Sequence, residues 1–256
     1  GAVVGAIAVG FATGVITLAN LSQFTTGLIV IAAVGYFTVM LTSDRVSALE
    51  RTRVRAFIPL FIANAVFWSL FQQIFTVLAV YSDERMNWSI FGWTAPSSWI
   101  GSIEPVWIIL LSPLFAVMWT RLGRRAPTTP RKFAYGVIGM GCAFLPFLVM
   151  AGTTGRSVPV LVVVAIMAVF AVSELLLSPI GLSVTTQLAP NAFRAQMMAL
   201  YFFSVGLGTA MSGVLSKYYD AAHEAAYFGI IGAAAVVVGL VVWALAPWIS
   251  RLMEGV

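Results

Sequence analysis

Two acidic residues lie inside long apolar stretches of the sequence, where a charged side chain is unusual. Glu174 follows the apolar run 160–172, and Glu104 precedes Pro105 in a second run. A charge at membrane depth costs at least about 2.5 kcal/mol, so it tends to face a wet cavity or a polar partner. Glu174 has Ser178 one helical turn further along on the same face. We therefore expect a ligand or proton site at Glu174 and Ser178.

The two acids differ in depth. Glu174 lies about 14 residues into its run, which at about 1.5 Å per residue places it roughly 21 Å from the outer edge. Pro179 weakens the backbone hydrogen bonding beside it. The alternative for Glu174 is a protonated side chain that bonds a neighbouring helix. Glu104 is nearer the outer surface, where it either takes part in the site or reaches lipid headgroups and water.

A polar stripe at four-residue spacing forms a third candidate. Asn64, Trp68, Gln72 and Thr76 fall on one face of a helix. Two amides, an indole N–H and a hydroxyl suit a peptide-like ligand. Hydrogen bonding between packed helices recruits the same residue types, so both interpretations remain open at this point.

The sequence contains no sign of catalysis or of a cofactor. It has one cysteine, Cys142, and one histidine, His223, which excludes a site built from several cysteine or histidine ligands. It has no nucleophile elbow, phosphate-binding glycine loop or metal-ligand cluster. We predict no catalytic residue, no metal and no cofactor. The net charge of +5 does not indicate nucleic acid, because the basic residues are not pooled on one segment.

Composition places these residues in a membrane. Of the 256 residues, 61% are hydrophobic and 9% charged, whereas soluble domains carry about 25% charged residues. A crossing helix needs about 20 apolar residues, and unbroken runs of this length lack the alternation of a membrane barrel. We predict an all-α, polytopic bundle with strands unlikely to form. The predicted spans are 2–19, 24–42, 56–81, 99–120, 132–151, 158–187, 194–217 and 224–249.

Charge predicts the orientation of the spans. If the segment before the third span is inside, the inside segments carry eleven of the fourteen basic residues and the outside segments carry Arg85, Arg156 and Lys217. This bias predicts a carboxy terminus in the cytoplasm and a multi-pass protein of the inner (plasma) membrane. The first two spans are shorter and richer in small residues. We expect an inserted hairpin at 1–44, a basic cytoplasmic linker at 45–55 and a six-helix unit at 56–256.

Several segments resemble the proton-dependent oligopeptide transporter family, a branch of the major facilitator superfamily. The segment 57–73 resembles its seventh helix, and 119–125 resembles the superfamily's short basic loop between helices eight and nine. The most specific segment is 173–200. It contains Ser-Glu-Leu-Leu-Leu-Ser-Pro, Leu-Ala-Pro and Phe-Arg-Ala-Gln-Met-Met-Ala-Leu, and is similar to the tenth and eleventh helices. The likeness is strongest over 24–215.

The resemblance implies the carboxy-terminal half of a major facilitator fold, preceded by the helix pair that bacterial members insert. Its partners would be small peptides, protons, the lipid bilayer and the absent amino-terminal six-helix half. Glu174 matches the acid that binds the peptide amino terminus and joins the coupling network. Trp68 matches a pocket aromatic, while Asp83 and Glu84 fall where the family has an acidic outer-gate residue. The missing initiator Met suggests that an upstream portion exists.

Two positions depart from the family pattern. Gln72 stands where the family usually has Glu, and Glu104 stands where it usually has Asn. We hypothesise that the titratable acid has moved from the seventh helix to the eighth. Three other interpretations remain: a transporter half for another solute such as nitrate or a drug, a membrane-embedded enzyme, and a non-transporting product of a truncated gene.

Overall fold

The structure is a computed structural model that describes residues 9–90, 92–153 and 155–253. Seven helical units within these residues are long and apolar enough to cross a membrane. The predicted all-α membrane bundle is therefore confirmed. The units are Leu21–Thr42, Ala48–Arg85, Ser97–Leu122, Thr129–Met150, Val160–Leu188, Asn191–Tyr218 and Glu224–Leu252.

The helices of these units follow one another with short connections. They are α1 (Leu21–Thr42), α2 (Ala48–Phe71), α3 (Val77–Arg85), α4 (Ile100–Leu122), α5 (Thr129–Phe144), α6 (Pro146–Met150), α7 (Val160–Leu188), α8 (Arg194–Leu215) and α9 (Glu224–Leu252). Single 3-10 turns cover Gln72–Phe75, Ser97–Trp99, Gly123–Arg125, Asn191–Phe193 and Ser216–Tyr218.

Four two-residue strands lie between the helices, although the sequence favoured none. β1 (Met86–Asn87) pairs in parallel with β4 (Val158–Pro159), and β2 (Ser89–Ile90) pairs antiparallel with β3 (Trp93–Thr94). They are too short to show alternation, which is why the sequence did not indicate them. The β1–β4 pair joins the loop after α3 to the start of α7.

The start of the chain differs from the prediction. Residues 2–8 of the predicted span 2–19 lie outside the described residues, and the helix that follows ends at residue 12. The next helix, α2, begins at Ala48, so most of the expected linker 45–55 is helical. Ser47 explains this early start: its hydroxyl accepts from the Glu50 N–H, and the Glu50 carboxylate accepts from the Ser47 N–H, which forms a capping box.

The bundle has two chemically distinct ends. The basic end is formed by segments 43–47, 123–128 and 189–193. The Glu50 carboxylate joins two of these segments, because it accepts from the Ser47 N–H (2.9 Å) and from the Asn191 N–H (2.9 Å). At the opposite end the Lys217 ammonium donates to the Ala19 carbonyl and to Gln23 (2.6 Å). Lys217 thus joins α8 to the turn that precedes α1.

Glycines allow the closest helix contacts. A Cβ on Gly141 of α5 would lie 2.7 Å from the Gly232 carbonyl oxygen and 2.8 Å from the Val236 nitrogen, both backbone atoms of α9. A Cβ on Gly208 of α8 would lie 2.6 Å from the Ala65 carbonyl oxygen of α2. Small residues allow such approach in membranes, where dispersion contacts hold helices together.

Gly141→Val is expected to destabilise the protein by about 1–3 kcal/mol, because α5 and α9 must separate to admit the side chain. Thermal unfolding of the purified protein in detergent measures the loss. Gly35→Val is the matched control, since a Cβ at Gly35 meets no atom within 4 Å. Equal losses in the two variants would contradict this account of the α5–α9 contact.

Candidate substrate and proton site

Glu174 is the central residue of α7, the helix that runs from Val160 to Leu188. The apolar sequence on both sides makes this helix long enough to cross the membrane. Glu174 is therefore near the middle of a helix that is long enough to span the membrane. Glu174 is half-buried within this chain, so part of the side chain is open on the face that no described helix covers.

Glu104 lies on α4, and its carboxyl is near enough to that of Glu174 for the two groups to interact. The side chain is buried, with 5% of its surface exposed, and its Oε1 atom has no hydrogen-bond partner. The Glu104 side chain is therefore not directed to lipid headgroups or water at the end of α4, which was the alternative to a role in the site. The structure brings the two acids into one pair.

The acid pair has no basic partner in the part of the chain that the structure describes. The ion pairs found there join Arg85 to Glu224, Arg156 to Asp83 and His223 to Asp220. A buried carboxylate pair without a cation is costly in a medium of low dielectric. The pair is therefore suited to take up a proton or a cationic ligand.

Ser178 is also placed at this site, one turn along α7 from Glu174. Its hydroxyl lies near that of Tyr201 on α8, and the Tyr201 side chain is near enough to Glu174 to interact with its charge. Sequence reasoning did not select Tyr201, which lies among the apolar residues of α8. The available signal was its hydroxyl, because a buried tyrosine usually finds a polar partner.

The polar stripe, which runs from α2 into the 3-10 turn after it, mainly bonds α8. The Asn64 amide donates to the Ser204 hydroxyl (2.6 Å), the Gln72 amide donates to the Thr209 hydroxyl (3.0 Å), and the Thr76 hydroxyl is 3.3 Å from that of Ser212. These contacts favour the helix–helix interpretation for Asn64 and Thr76. The Gln72 side chain is half-buried, so part of it stays accessible beside its hydrogen bond to Thr209.

Trp68 forms part of an aromatic group on the same helix. Its ring packs edge-on against Phe67 (5.6 Å between centroids) and Phe71 (5.1 Å), and Phe71 reaches Phe170 of α7 (6.4 Å). The Trp68 side chain is half-buried, whereas its indole N–H is sealed and has no acceptor. The exposed part of the Trp68 ring thus forms an apolar surface on α2.

Asp83 and Glu84 lie apart from the acid pair, on the last turn of α3 at the opposite end. Asp83 accepts from the Ser97 hydroxyl (3.0 Å) and pairs with Arg156 (3.5 Å). Both members of this ion pair are about two-thirds exposed, so the pair contributes little to stability. Glu84 is exposed beside it.

A second charged cluster at the opposite end is buried. Arg85 pairs with Glu224 (3.3 Å) and donates to the Thr153 and Ala221 carbonyls, while Glu224 also accepts from the Gly152 N–H. Burial, with the Glu224 carboxylate as the next cause, raises the pKa of Tyr219 to about 12. Its hydroxyl therefore stays protonated at neutral pH.

The arrangement is chemically suited to binding. It offers a carboxyl pair, a hydroxyl pair from Ser178 and Tyr201, the Gln72 amide and the Trp68 ring. Among the described residues no group of three His, Cys, Asp or Glu could hold a metal ion. An ammonium group would find its charge offset at the carboxyls and hydrogen-bond acceptors around it.

Known proteins share both the sequence and the fold of this chain. An uncharacterized transporter of Bacillus subtilis, YclF, is 38% identical over 98% of this chain and 51% of its own length. A di-/tripeptide transporter of Lactococcus lactis is 37% identical over 86% of this chain and 46% of its own. The chain thus spans about half the length of the curated relatives it matches.

Solved structures agree with these relatives. A POT peptide transporter variant in complex with alafosfalin has a TM-score of 0.91 and 42% identity, and it covers 99% of this chain and 52% of its own. A POT family transporter in complex with 5-aminolevulinic acid has a TM-score of 0.87 and 32% identity, covering 96% and 52%. The POT family model matches residues 7–237. This chain belongs to the POT family, the proton-dependent oligopeptide transporters.

Proposed function

We propose that this chain is the carboxy-terminal half of a proton-coupled symporter that imports di- and tripeptides. The observation that carries the proposal is the Glu104–Glu174 carboxyl pair, which joins two helices of membrane-spanning length and has no basic partner among the described residues. Membership of the POT family and the di-/tripeptide transporters among its relatives support it.

The peptide would bind by its amino terminus at Glu174. An ammonium and a carboxylate form charge-assisted hydrogen bonds that offset both charges. Ser178 lies on the same face of α7, while Trp68 of α2 and Gln72 of the 3-10 turn that follows α2 form the facing wall. Asn64 bonds Ser204, so in this proposal it fixes that wall through α8. The likeness to a POT transporter bound to 5-aminolevulinic acid favours a ligand with an amino group.

Transport would require a first six-helix half, which together with this chain encloses the substrate. In secondary transporters the two halves rock around a site at the midplane. Asp83 and Glu84 lie at the end of the bundle that faces outward in this orientation, where they would belong to the outer gate. The basic end and the carboxy terminus would face the cytoplasm of a cell with this protein in its inner membrane.

The proton would bind at Glu104 and Glu174. Gln72 has no titratable group and its amide is bonded to Thr209, so α2 does not offer a proton site at this depth. Glu104 supplies a carboxyl on the neighbouring α4. The function proposed is transport rather than catalysis, and it uses no cofactor or metal.

Uptake of a labelled dipeptide into proteoliposomes tests this proposal. The protein used joins this chain to a first six-helix half, because one half alone lacks a wall of the pathway. An unlabelled dipeptide should compete with the label, whereas an N-acetylated dipeptide and nitrate should not. Competition by nitrate without competition by dipeptides would show that the transported solute is different, and uptake by this chain alone would contradict the need for two halves.

A further inference from the structure

We propose that a cavity between α4, α5 and α7, near the basic end, binds an anionic phospholipid of the cytoplasmic leaflet. The lipid phosphate would bind at Lys132 of α5, and part of one acyl chain would fill the cavity. This inference goes beyond peptide transport and does not rest on it, because it concerns a lipid site on the outside of the bundle.

The cavity is mostly apolar and has a volume of about 290 Å³. Its lining includes Phe115 of α4 and Leu175 of α7. Ala116 and Pro179, which also line it, are exposed, so the cavity opens at the surface of the bundle. Sites that enclose a whole small molecule measure about 300–1,000 Å³. This cavity is therefore suited to hold part of a larger, apolar ligand.

Lys132 is the charged residue of the cavity lining. Its ammonium lies over the Trp119 ring, 4.0 Å from the centroid, and forms no ion pair with a described acid. The other polar lining residue is Ser112, whose hydroxyl already donates to the Ile108 carbonyl (2.5 Å). The ring offsets part of the Lys132 charge, but it leaves the ammonium with hydrogen bonds to donate, as a phosphate group requires.

The cavity extends from the end of the bundle towards its middle. Lys132 lies three residues after the start of α5 and Trp119 three residues before the end of α4, so both are about 5 Å from the helix ends. Ser112 lies ten residues before the end of α4, which is roughly 15 Å deep. A phospholipid has the same order, with a charged phosphate at the surface and an apolar chain below it.

The charge around the cavity favours an anionic lipid over a zwitterionic one. Segment 121–132 carries five basic residues and no acid: Arg121, Arg124, Arg125, Arg131 and Lys132. No ion pair between described residues includes any of them. Basic pockets between helices on the cytoplasmic side attract acidic lipid headgroups, and this end faces the cytoplasm in the orientation that the charge bias predicts.

The cavity is separate from the substrate site proposed above. At 3.6 residues per turn, Leu175 and Pro179 lie about 100° and 140° around α7 from Glu174, whereas Ser178 lies only about 40° away. The helix that carries Lys132, α5, supplies none of the residues proposed to bind the peptide. A peptide at Glu174 would therefore be on another face of α7 and would not occupy this cavity.

Native mass spectrometry of the joined two-half transporter tests the site. Protein freed of lipid in detergent is titrated with phosphatidylglycerol or with phosphatidylcholine of the same acyl chains. Wild type should bind phosphatidylglycerol about fivefold more tightly than phosphatidylcholine. Lys132→Gln should lose most of this preference, and Lys132→Arg, which keeps the charge, should retain it. The control Arg156→Gln, which removes an exposed cation at the opposite end, should bind both lipids as wild type does.

Ala116→Phe tests the acyl chain without changing any charge. The added ring should fill the cavity and weaken phosphatidylglycerol binding roughly tenfold, as for the loss of about two buried methylene groups. Val117→Phe is the matched control, since Val117 is the next residue of α4, is 50% exposed and does not line the cavity. This pair of variants also carries the test if Lys132→Gln does not fold.

Three results would overturn the proposal. Equal binding of the two lipids by wild type would show that the first half covers the cavity or that its charge is not used. Equal losses in Lys132→Gln and Arg156→Gln, or in Ala116→Phe and Val117→Phe, would show that the lipid binds elsewhere. Displacement of phosphatidylglycerol by inorganic phosphate would show a site for the phosphate group alone. Dipeptide uptake is not measured in any of these experiments, so their outcome is independent of the proposed function.

Discussion

Glu174→Gln is expected to weaken dipeptide binding to the joined two-half transporter by roughly 100-fold, within the range for loss of one partner of a buried, hydrogen-bonded charge pair. The substitution keeps the shape of the side chain and removes the negative charge that would face the ammonium. Calorimetric or fluorescence titration of the purified transporter with a dipeptide measures the change.

Two comparisons show whether the lost affinity comes from the contact between the peptide ammonium and Glu174. An N-acetylated dipeptide lacks the ammonium, so it should bind wild type and Glu174→Gln with similarly low affinity. Asp44→Asn makes the same charge change on an exposed segment and should bind the dipeptide as wild type does. If Glu174→Gln bound the dipeptide normally, the amino terminus would have to be recognised elsewhere, and the role proposed for Glu174 would be wrong.

Glu224→Gln is expected to destabilise the protein by about 3–5 kcal/mol, the usual result of breaking a buried ion pair by removing one charge. Only 3% of the Glu224 side chain is exposed, and Arg85 at 3.3 Å would be left without a counter-charge. Because Arg85 also binds the Thr153 and Ala221 carbonyls, the pair joins α3, the loop before α7 and the start of α9. The free energy of unfolding in detergent measures the effect.

Asp220→Asn is the matched control for that variant. Asp220 lies in the same segment as Glu224 and pairs with His223 at 2.9 Å, but its side chain is 60% exposed. A hydrogen bond from the Ala222 N–H, and then His223, lower its pKa. Water screens this exposed pair, so its loss should leave stability nearly unchanged. Equal destabilisation by the two variants would show that burial of the Arg85–Glu224 pair is not the cause.

Much of the fold could be predicted because bilayer thickness acts on one segment at a time. An apolar run of sufficient length forms a crossing helix whatever its neighbours are, so α7 could be predicted together with the position of Glu174 inside it. The end of α2 was less predictable. The polar side chains of Gln72 and Thr76 give the segment 72–76 other hydrogen-bond partners, and a 3-10 turn replaces the helix there.

The site could be predicted only in part because it depends on which helix faces meet. Glu174 was recognised from its own surroundings. The contact with Glu104 was not, because it is made between α4 and α7, and no local pattern gives that pairing. Tyr201 was missed for the same reason: it contacts Ser178 across the α7–α8 interface. The polar stripe has the four-residue spacing of one helix face. That spacing does not show whether the face contacts a ligand or packs against α8.

The central claim is that the Glu104–Glu174 pair faces a wet passage and receives the amino group of a peptide. A cryo-EM structure of the joined two-half transporter with a bound dipeptide tests it most directly. We predict that the dipeptide nitrogen lies within hydrogen-bonding distance of the Glu174 carboxyl, between α7 and the first half. A dipeptide bound elsewhere, with both carboxyls sealed in a dry helix contact, would contradict the account.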